Sequence, residues 1–249
     1  MDNNNSTFKP WHESNPNFRI PPPRDESTLD EHKVPIDWIS TTKFGTPMFI
    51  EELPFCILPI KCPIENPLSV KNLEKSGDNF TWPDALSLIS KKFKNIENFT
   101  EGKTPVVTNV IDLTGTELND RRYYRGTELH DLYSIKYWKI RTMGGGGRLP
   151  HNGIINKFAD KLNTVRRMFN GVQIEKVKHF YPDFDLDKNF PVVIIHCTHG
   201  INRTGYMISM YLVRELGWSS EKAMNFFETC RGYPIKYDNY REELKAHEN

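Results

Sequence analysis

A cysteine and an arginine stand six residues apart in the stretch His196-Cys197-Thr198-His199-Gly200-Ile201-Asn202-Arg203-Thr204-Gly205. A thiolate is a strong nucleophile, and a guanidinium grips two oxygens of a phosphoryl group at once, which the point charge of lysine does not. The pair therefore suits attack of sulfur on a bound phosphoryl group. In that chemistry Cys197 is the nucleophile, its pKa lowered by surrounding N–H groups and by Arg203. Arg203 binds the phosphoryl oxygens and neutralises charge that builds on them in the transition state. The Thr204 hydroxyl can donate to the thiolate and ease its departure in a second step. Gly200 lets the loop turn tightly around an anion. Thr198, His199, Ile201 and Asn202 complete the loop; His199 and Asn202 either contact substrate or hold its shape. His196 either orients the loop by hydrogen bonding or is a satisfied core histidine.

These residues need a scaffold that converges on one point. Val192-Val193-Ile194-Ile195 is β-branched throughout and predicts a buried strand. Tyr206 to Leu212 is apolar nearly all round and predicts a buried helix. A strand, a short loop and a helix N-terminus aim backbone N–H groups and a positive dipole end at a tetrahedral anion. Around that unit the chain alternates strands and helices. Val106 to Leu113 predicts a buried strand, and Ile135 to Ile140 a half-buried one. Thr81-Trp82-Pro83-Asp84 predicts a helix start. Ile155, Phe158, Leu162, Val165 and Phe169 mark a strongly amphipathic helix. Ser219 caps a helix burying Ala223, Phe226, Phe227 and Cys230, and a last helix runs from about Tyr237 to Ala246. Residues 49–67 are apolar but proline-studded, which predicts an edge strand or an extended strap. Gly144 to Gly147 must be a loop. Gly171 to Phe190, with Asp183, Asp185 and Asp187 alternating, predicts an acidic surface excursion. The fold class is α/β, a central mixed, mostly parallel sheet flanked by helices.

The chain has 249 residues, 37% of them hydrophobic, enough for a sizeable core. Residues 1–33 are rich in Asn, Pro, Ser and charge and predict a disordered tail before a domain covering 34–249. That tail holds four Lys/Arg against six Asp/Glu, so the net charge of +1 for the whole chain leaves the remainder near +3. Such a balance gives no global pull toward nucleic acid, and any basic site must be local. Cys56, Cys62, Cys197 and Cys230 are scattered, with neither metal-ligand nor disulfide spacing, and predict reduced thiols. No signal peptide and no apolar run of membrane-spanning length is visible.

His-Cys-x5-Arg-Thr-Gly resembles the signature of the cysteine-dependent phosphatases of the tyrosine and dual-specificity superfamily. Thr198-His199-Gly200 and Asn202 narrow the likeness to the RNA 5′-triphosphatase branch, which includes the triphosphatase domain of metazoan capping enzymes and stand-alone RNA/ribonucleoprotein-interacting phosphatases. Val110-Ile111-Asp112-Leu113-Thr114, the nearby Asp120-Arg121-Arg122-Tyr123-Tyr124, Ile135 to Lys139, Pro35 to Trp38, Pro59-Ile60-Lys61 and Cys230-Arg231-Gly232 are similar to blocks of the same branch. The resemblance implies the cysteine-phosphatase fold. It implies an enzyme that needs no metal or other cofactor, removes the γ-phosphate from RNA 5′ ends, with removal of the β-phosphate left open, and acts in the nucleus with ribonucleoprotein or transcription machinery as a further partner. Asp112, Arg122, Lys61, Arg231 and Lys236 become supporting or RNA-contact residues, with Arg121, Arg125 and Arg148 around the mouth. Tyr123, Tyr124, Tyr233 or Tyr237 could stack on the first base. The chain has no K-x-D-G nucleotidyl-transfer motif, so it reads as a stand-alone phosphatase or a fragment.

The protein phosphatases of that superfamily carry an aspartate general acid on the loop before the helix that precedes the nucleophile strand. Here that loop, Met143 to Gly153, has no carboxylate. An alkoxide or phenoxide leaving group needs a proton, whereas a diphosphate departs without one. The missing acid favours cleavage of a phosphoanhydride unless Asp183 to Asp187 fold back over the site. Two other readings stay open: a dual-specificity protein phosphatase acting on phosphotyrosine, phosphoserine or phosphothreonine, and a non-catalytic RNA 5′-end binder.

Overall fold

The computed structural model describes residues 36–65, 80–93, 102–115, 123–143, 147–171 and 174–248. The expected disordered tail, three of the four loop glycines, Arg121 and Arg122 lie outside the described residues. In chain order the elements are α1 (Ile36–Ser40), β1 (Cys56–Ile60), α2 (Trp82–Phe93), β2 (Thr104–Asp112), α3 (Gly126–Tyr133), β3 (Lys136–Lys139), α4 (Asn152–Phe169), α5 (Ile174–Phe180), β4 (Asn189–His196), α6 (Asn202–Leu216), α7 (Ser220–Arg231) and α8 (Asp238–Ala246).

The β-branched run forms β4, which lies between β1 and β2 in a sheet of order β1-β4-β2-β3. Its side chains alternate between two cores. Val193 and Ile195 join α4, α6 and α7 on one face, while Val192 and Ile194 join α2 and α3 on the other. A strand covered on both faces must be apolar throughout, which is why alternation is absent from its sequence. The expected central sheet, mostly parallel and flanked by helices, is what forms. All four strands pair in parallel, and antiparallel contact is confined to isolated bridges, Phe44 with Ile60 and Met48 with Ile57. Pro59 is tolerated because β1 is an edge strand.

One irregularity interrupts β2. Val107 pairs with Val192 but Asn109 with Val193, so Thr108 is an extra residue, its hydroxyl donating to the Val192 carbonyl at 3.4 Å. Helix α2 begins as expected: the Thr81 amide and hydroxyl donate to Asp84 Oδ2 at 3.0 and 2.6 Å, and the Asp84 amide donates back at 3.3 Å. The Ser219 hydroxyl caps α7 by accepting from the Lys222 amide. Residues 204–213 of α6 are buried without a break. No helix of the described residues is long and apolar enough to cross a membrane.

The segment from Gly171 to Phe190 departs from expectation. It contains α5, and Val177, Tyr181 and Phe184 are buried in the α4–α6 core. Phe184 packs 5.2 Å from the Phe169 ring, and the Tyr181 hydroxyl donates to Asn109 Oδ1 beside the β2 irregularity. The alternating aspartates hid this, because one apolar residue between each pair is enough to anchor a short excursion. Replacement Phe184→Ala should lower unfolding free energy by about 3 kcal/mol in urea titration, the usual cost of truncating a buried phenylalanine. A change within about 0.5 kcal/mol, typical of a surface site, would refute this packing.

Candidate active site

Parallel strands deliver their carboxyl ends to one side of the sheet, and β4 ends there at His196. Cys197 follows, 3% exposed, and the chain crosses to Asn202, where α6 begins. Gly200 has φ +66°, and a Cβ there would lie 1.9 Å from the Ile60 carbonyl oxygen. Both the backbone conformation and the close approach to β1 require glycine.

The loop is braced from behind by Arg231, which is only 1% exposed. Its Nε donates to the Gly200 carbonyl at 2.9 Å and Nη2 to the His199 carbonyl at 2.9 Å, while Nη1 and Nη2 also donate to Thr42. A peptide group points its C=O and N–H to opposite sides. With the Gly200 carbonyl turned to Arg231, the N–H of Ile201 turns to the sulfur, where it is one of the groups lowering the thiol pKa. Burial by itself would push that pKa up. The Arg203 charge, the Thr204 hydroxyl and the amides of Thr204 and Ile201 outweigh it, so Cys197 is held below the ordinary thiol value. Thr204 Oγ1 is buried and meets no partner of good hydrogen-bond geometry, yet it lies near enough to the sulfur to act on it. The other three thiols are buried, and burial raises their pKa values.

Arg203 is fastened before any anion arrives. Nη1 donates to the carbonyls of Leu113 and Thr142 at 3.1 and 3.3 Å, and Nη2 to Thr198 Oγ1 at 3.1 Å. Guanidinium has five N–H groups. The two left over, on Nε and Nη2, share one edge of the fork and match two oxygens of a phosphoryl group.

His196 is fully buried. Its Nδ1 lies 3.2 Å from the Cys197 carbonyl, which can only accept, so Nδ1 carries the proton. Burial lowers its pKa, and in the neutral ring Nε2 accepts from the Tyr124 hydroxyl at 2.5 Å. Asp112, in register with His196, is also buried. One carboxylate oxygen accepts from the Thr114 amide at 2.7 Å, the other from the Tyr137 hydroxyl and Lys139 Nζ at 2.8 Å each. Burial by itself would raise its pKa, but the Lys139 ammonium and the Thr114 amide hold it below the ordinary carboxylate value, and the group stays ionised.

Several expected RNA contacts turn inward. Lys61 is buried, donating to the carbonyls of Trp38 and Thr41 at 3.1 and 3.0 Å with the Trp38 ring 3.8 Å away. Arg231 is the brace just described. Tyr124 is core. Lys61 and Arg231 satisfy backbone carbonyls that burial would otherwise strand, and Tyr124 donates to the His196 ring. Asn202 holds shape: its Oδ1 accepts from the Lys236 amide at 2.7 Å. The His199 ring pairs with Asp37 of α1 at 2.9 Å. Tyr233 accepts from the Thr42 amide at 3.1 Å. Tyr123 is half-buried, its pKa pushed to about 12 mainly by burial, with Thr198 as partner. Lys236, Arg125, Arg148 and Tyr237 remain exposed at this end or beside it. Sequence reasoning did not single out Thr142, Tyr137 or Lys139 for the site; only their strand-end placement marks them. Among the described residues no three His, Cys, Asp or Glu side chains gather as they would around a metal ion.

Residues 172–249 match the family description "Dual specificity phosphatase, catalytic domain". A "Tyrosine-protein phosphatase" of Autographa californica nuclear polyhedrosis virus is 33% identical over 57% of this chain and 69% of its own length. An "RNA/RNP complex-1-interacting phosphatase homolog" of Caenorhabditis elegans is 33% identical over 54% of this chain and 48% of its own, so the chain spans about half of that relative. Among solved structures, one of PTPMT1 with PI(5)P is similar with a TM-score of 0.48 and 14% identity, over 83% of this chain and 95% of that one.

Because thiolate forms where the pKa is low, alkylation of Cys197 by iodoacetamide should reach half its limiting rate at a pH below the usual thiol value of 9.0. Arg203→Ala and Thr204→Val should each move that midpoint upward, since each removes a group favouring the anion. A midpoint unchanged in both variants would contradict the electrostatics described.

Proposed function

We propose that this chain, which belongs to the cysteine-dependent phosphatases of the dual-specificity type, removes the terminal phosphate of RNA 5′-triphosphate ends, with residues 34–249 as its phosphatase domain. The observation that carries this reading is where the carboxylates are. Asp112, nearest the loop in register, is held ionised and has no proton to give. The loop residues 147–153 offer none. Asp185 sits at the start of β4, where its carbonyl accepts from the Asn189 amide, and the neighbouring Lys188 carbonyl accepts from Thr104 at the start of β2. The alternating aspartates are therefore at the opposite end of the sheet, about 23 Å from the loop at ~3.3 Å per strand residue. They cannot fold back as the acid. Among the described residues the remaining carboxylate at the loop, Asp37, is engaged with the His199 ring at 2.9 Å, and a site whose described carboxylates are so committed suits a leaving group that needs no proton.

In the reaction, the Cys197 sulfur forms a bond to the γ-phosphorus while the bond to the bridging oxygen breaks, and the RNA leaves as a diphosphate. Arg203 spans two oxygens of the transferring group, and the loop amides meet the charge that develops on it. Water then attacks the phosphocysteine. The S–P bond breaks, phosphate departs with the water's proton, and the Thr204 hydroxyl stabilises the returning thiolate. His196, Tyr124 and Arg231 act by holding the loop. The worm relative's name, which refers to RNA, supports the choice of substrate class. The nucleus and ribonucleoprotein partners follow as part of the same reading.

The viral relative is named for tyrosine phosphatase activity, and this favours a second reading with phosphotyrosine as substrate. Release of label from γ-labelled triphosphate RNA in EDTA separates the two. Wild-type protein should release it, Cys197→Ser should not, and kcat/KM should exceed that for a phosphotyrosine peptide by about 10²- to 10⁴-fold, the worth of a general acid to the ester reaction. Equal or faster turnover of the peptide would displace the RNA reading.

A further inference from the structure

We infer that the outer edge of β3 carries a second, non-catalytic site, where Lys157, Lys161 and Lys136 hold phosphates of a single-stranded RNA backbone and Trp138 and Phe180 offer ring faces to its bases. It rests on the RNA reading of the catalytic loop, whose 5′ end this surface would extend.

Strand β3 is outermost in the sheet. Lys136 Nζ lies 3.9 Å from the Phe180 ring centre and 5.7 Å from that of Trp138, and Lys161 Nζ lies 5.3 Å from the Trp138 ring centre. Two ammonium groups thus share one indole. The Lys136 pKa is lowered, first by burial and then by the Lys161 charge. Among the described residues no carboxylate pairs with Lys136, Lys157 or Lys161. Like charges brought together and partly dried, with no counter-charge, are costly unless an anion joins them. Phe180 is 42% exposed, a large ring left facing solvent. Beside it a groove of about 290 Å³ holds Thr127, His130 and Ser134, whose side chains can bond base edges.

The surface is continuous with the catalytic end. Strand β3 finishes at Lys139, bonded to Asp112, and Asp112 is in register with His196. Helix α4 runs back from the mouth, so Lys157 lies about 6 Å nearer its start than Lys161, at 1.5 Å per residue. The cations form a track leading away from the loop. Ammonium groups interleaved with aromatic faces suit a chain of phosphates and planar bases better than an acidic peptide, which has no use for the rings.

The test uses the full chain and a 5′-hydroxyl oligouridine of about 12 nucleotides, within the ~4–16 covered by a single-strand-binding domain. It has no 5′ phosphate, so its binding reads this surface independently of triphosphate hydrolysis; a wild type that hydrolyses no triphosphate RNA would sink the catalytic reading and leave this measurement standing. Fluorescence anisotropy across a salt series should give, for Lys136→Gln/Lys161→Gln, a slope of log K against log salt shallower by about 1.4, at ~0.7 per phosphate contact. Phe180→Ala should weaken binding about five- to a hundredfold with the slope unchanged. Should the double variant fail to melt cooperatively, the exposed Lys157→Gln replaces it, with a change of about 0.7. An unchanged slope overturns the proposal, and so does tighter binding of polyglutamate than of the RNA at equal salt, which would assign the surface to an acidic protein.

Discussion

A buried guanidinium decides which way the anion-binding loop faces. Arg231 takes the carbonyls of His199 and Gly200, and the amide opposite the Gly200 carbonyl, that of Ile201, acts on the sulfur. Without that anchor the loop carbonyls would be stranded in the interior, and each such group costs roughly 1–3 kcal/mol. The same side chain reaches Thr42, so α1 and its exit are bound into the back of the loop. Lys61 repeats the device on the carbonyls of Trp38 and Thr41. Among the described residues Arg231 and Lys61 thus brace the backbone from behind, while Arg203 stands on the side of the sulfur.

Arg203 has its own constraint. Its hydrogen bonds to Leu113 and Thr142 come from the chain just beyond β2 and β3, and that to Thr198 from the loop itself. The guanidinium is therefore a tie among three strand ends as well as a binding group. Its orientation is set before substrate enters, so little rotamer freedom is lost on binding. Asp112, Lys139 and Tyr137 stiffen the same corner with a closed set of hydrogen bonds.

The catalytic unit was legible in the sequence because it is local: a β-branched run, a cysteine, a glycine, an arginine and an apolar helix follow one another in the chain. The α/β class and most helices were legible for the same reason, since periodicity is a short-range signal. What the sequence hid depends on distant pairing. Nothing near Arg231 or Lys61 says that its charge will be spent on a backbone carbonyl far along the chain, and a basic residue beside a phosphate loop naturally suggests phosphate. Parallel pairing throughout could not be told from a mixed sheet, because strand direction is a property of the connections. The excursion around Asp183 to Asp187 reads as surface in the sequence because its anchoring residues, Tyr181 and Phe184, are few and separated by charge.

The extra residue at Thr108 has an effect far from itself. Side chains on a strand alternate, so one inserted residue exchanges the two faces for everything downstream. Val107 and Val110, three apart, both reach the α2–α3 side, and the same offset carries Asp112 to that side, where Tyr137 bonds it. Were the strand regular, the carboxylate would emerge under α4, among aliphatic groups with no donor to receive it. A single surplus backbone unit, buried mid-sheet, thus sets the handedness of the polar corner at the strand's far end.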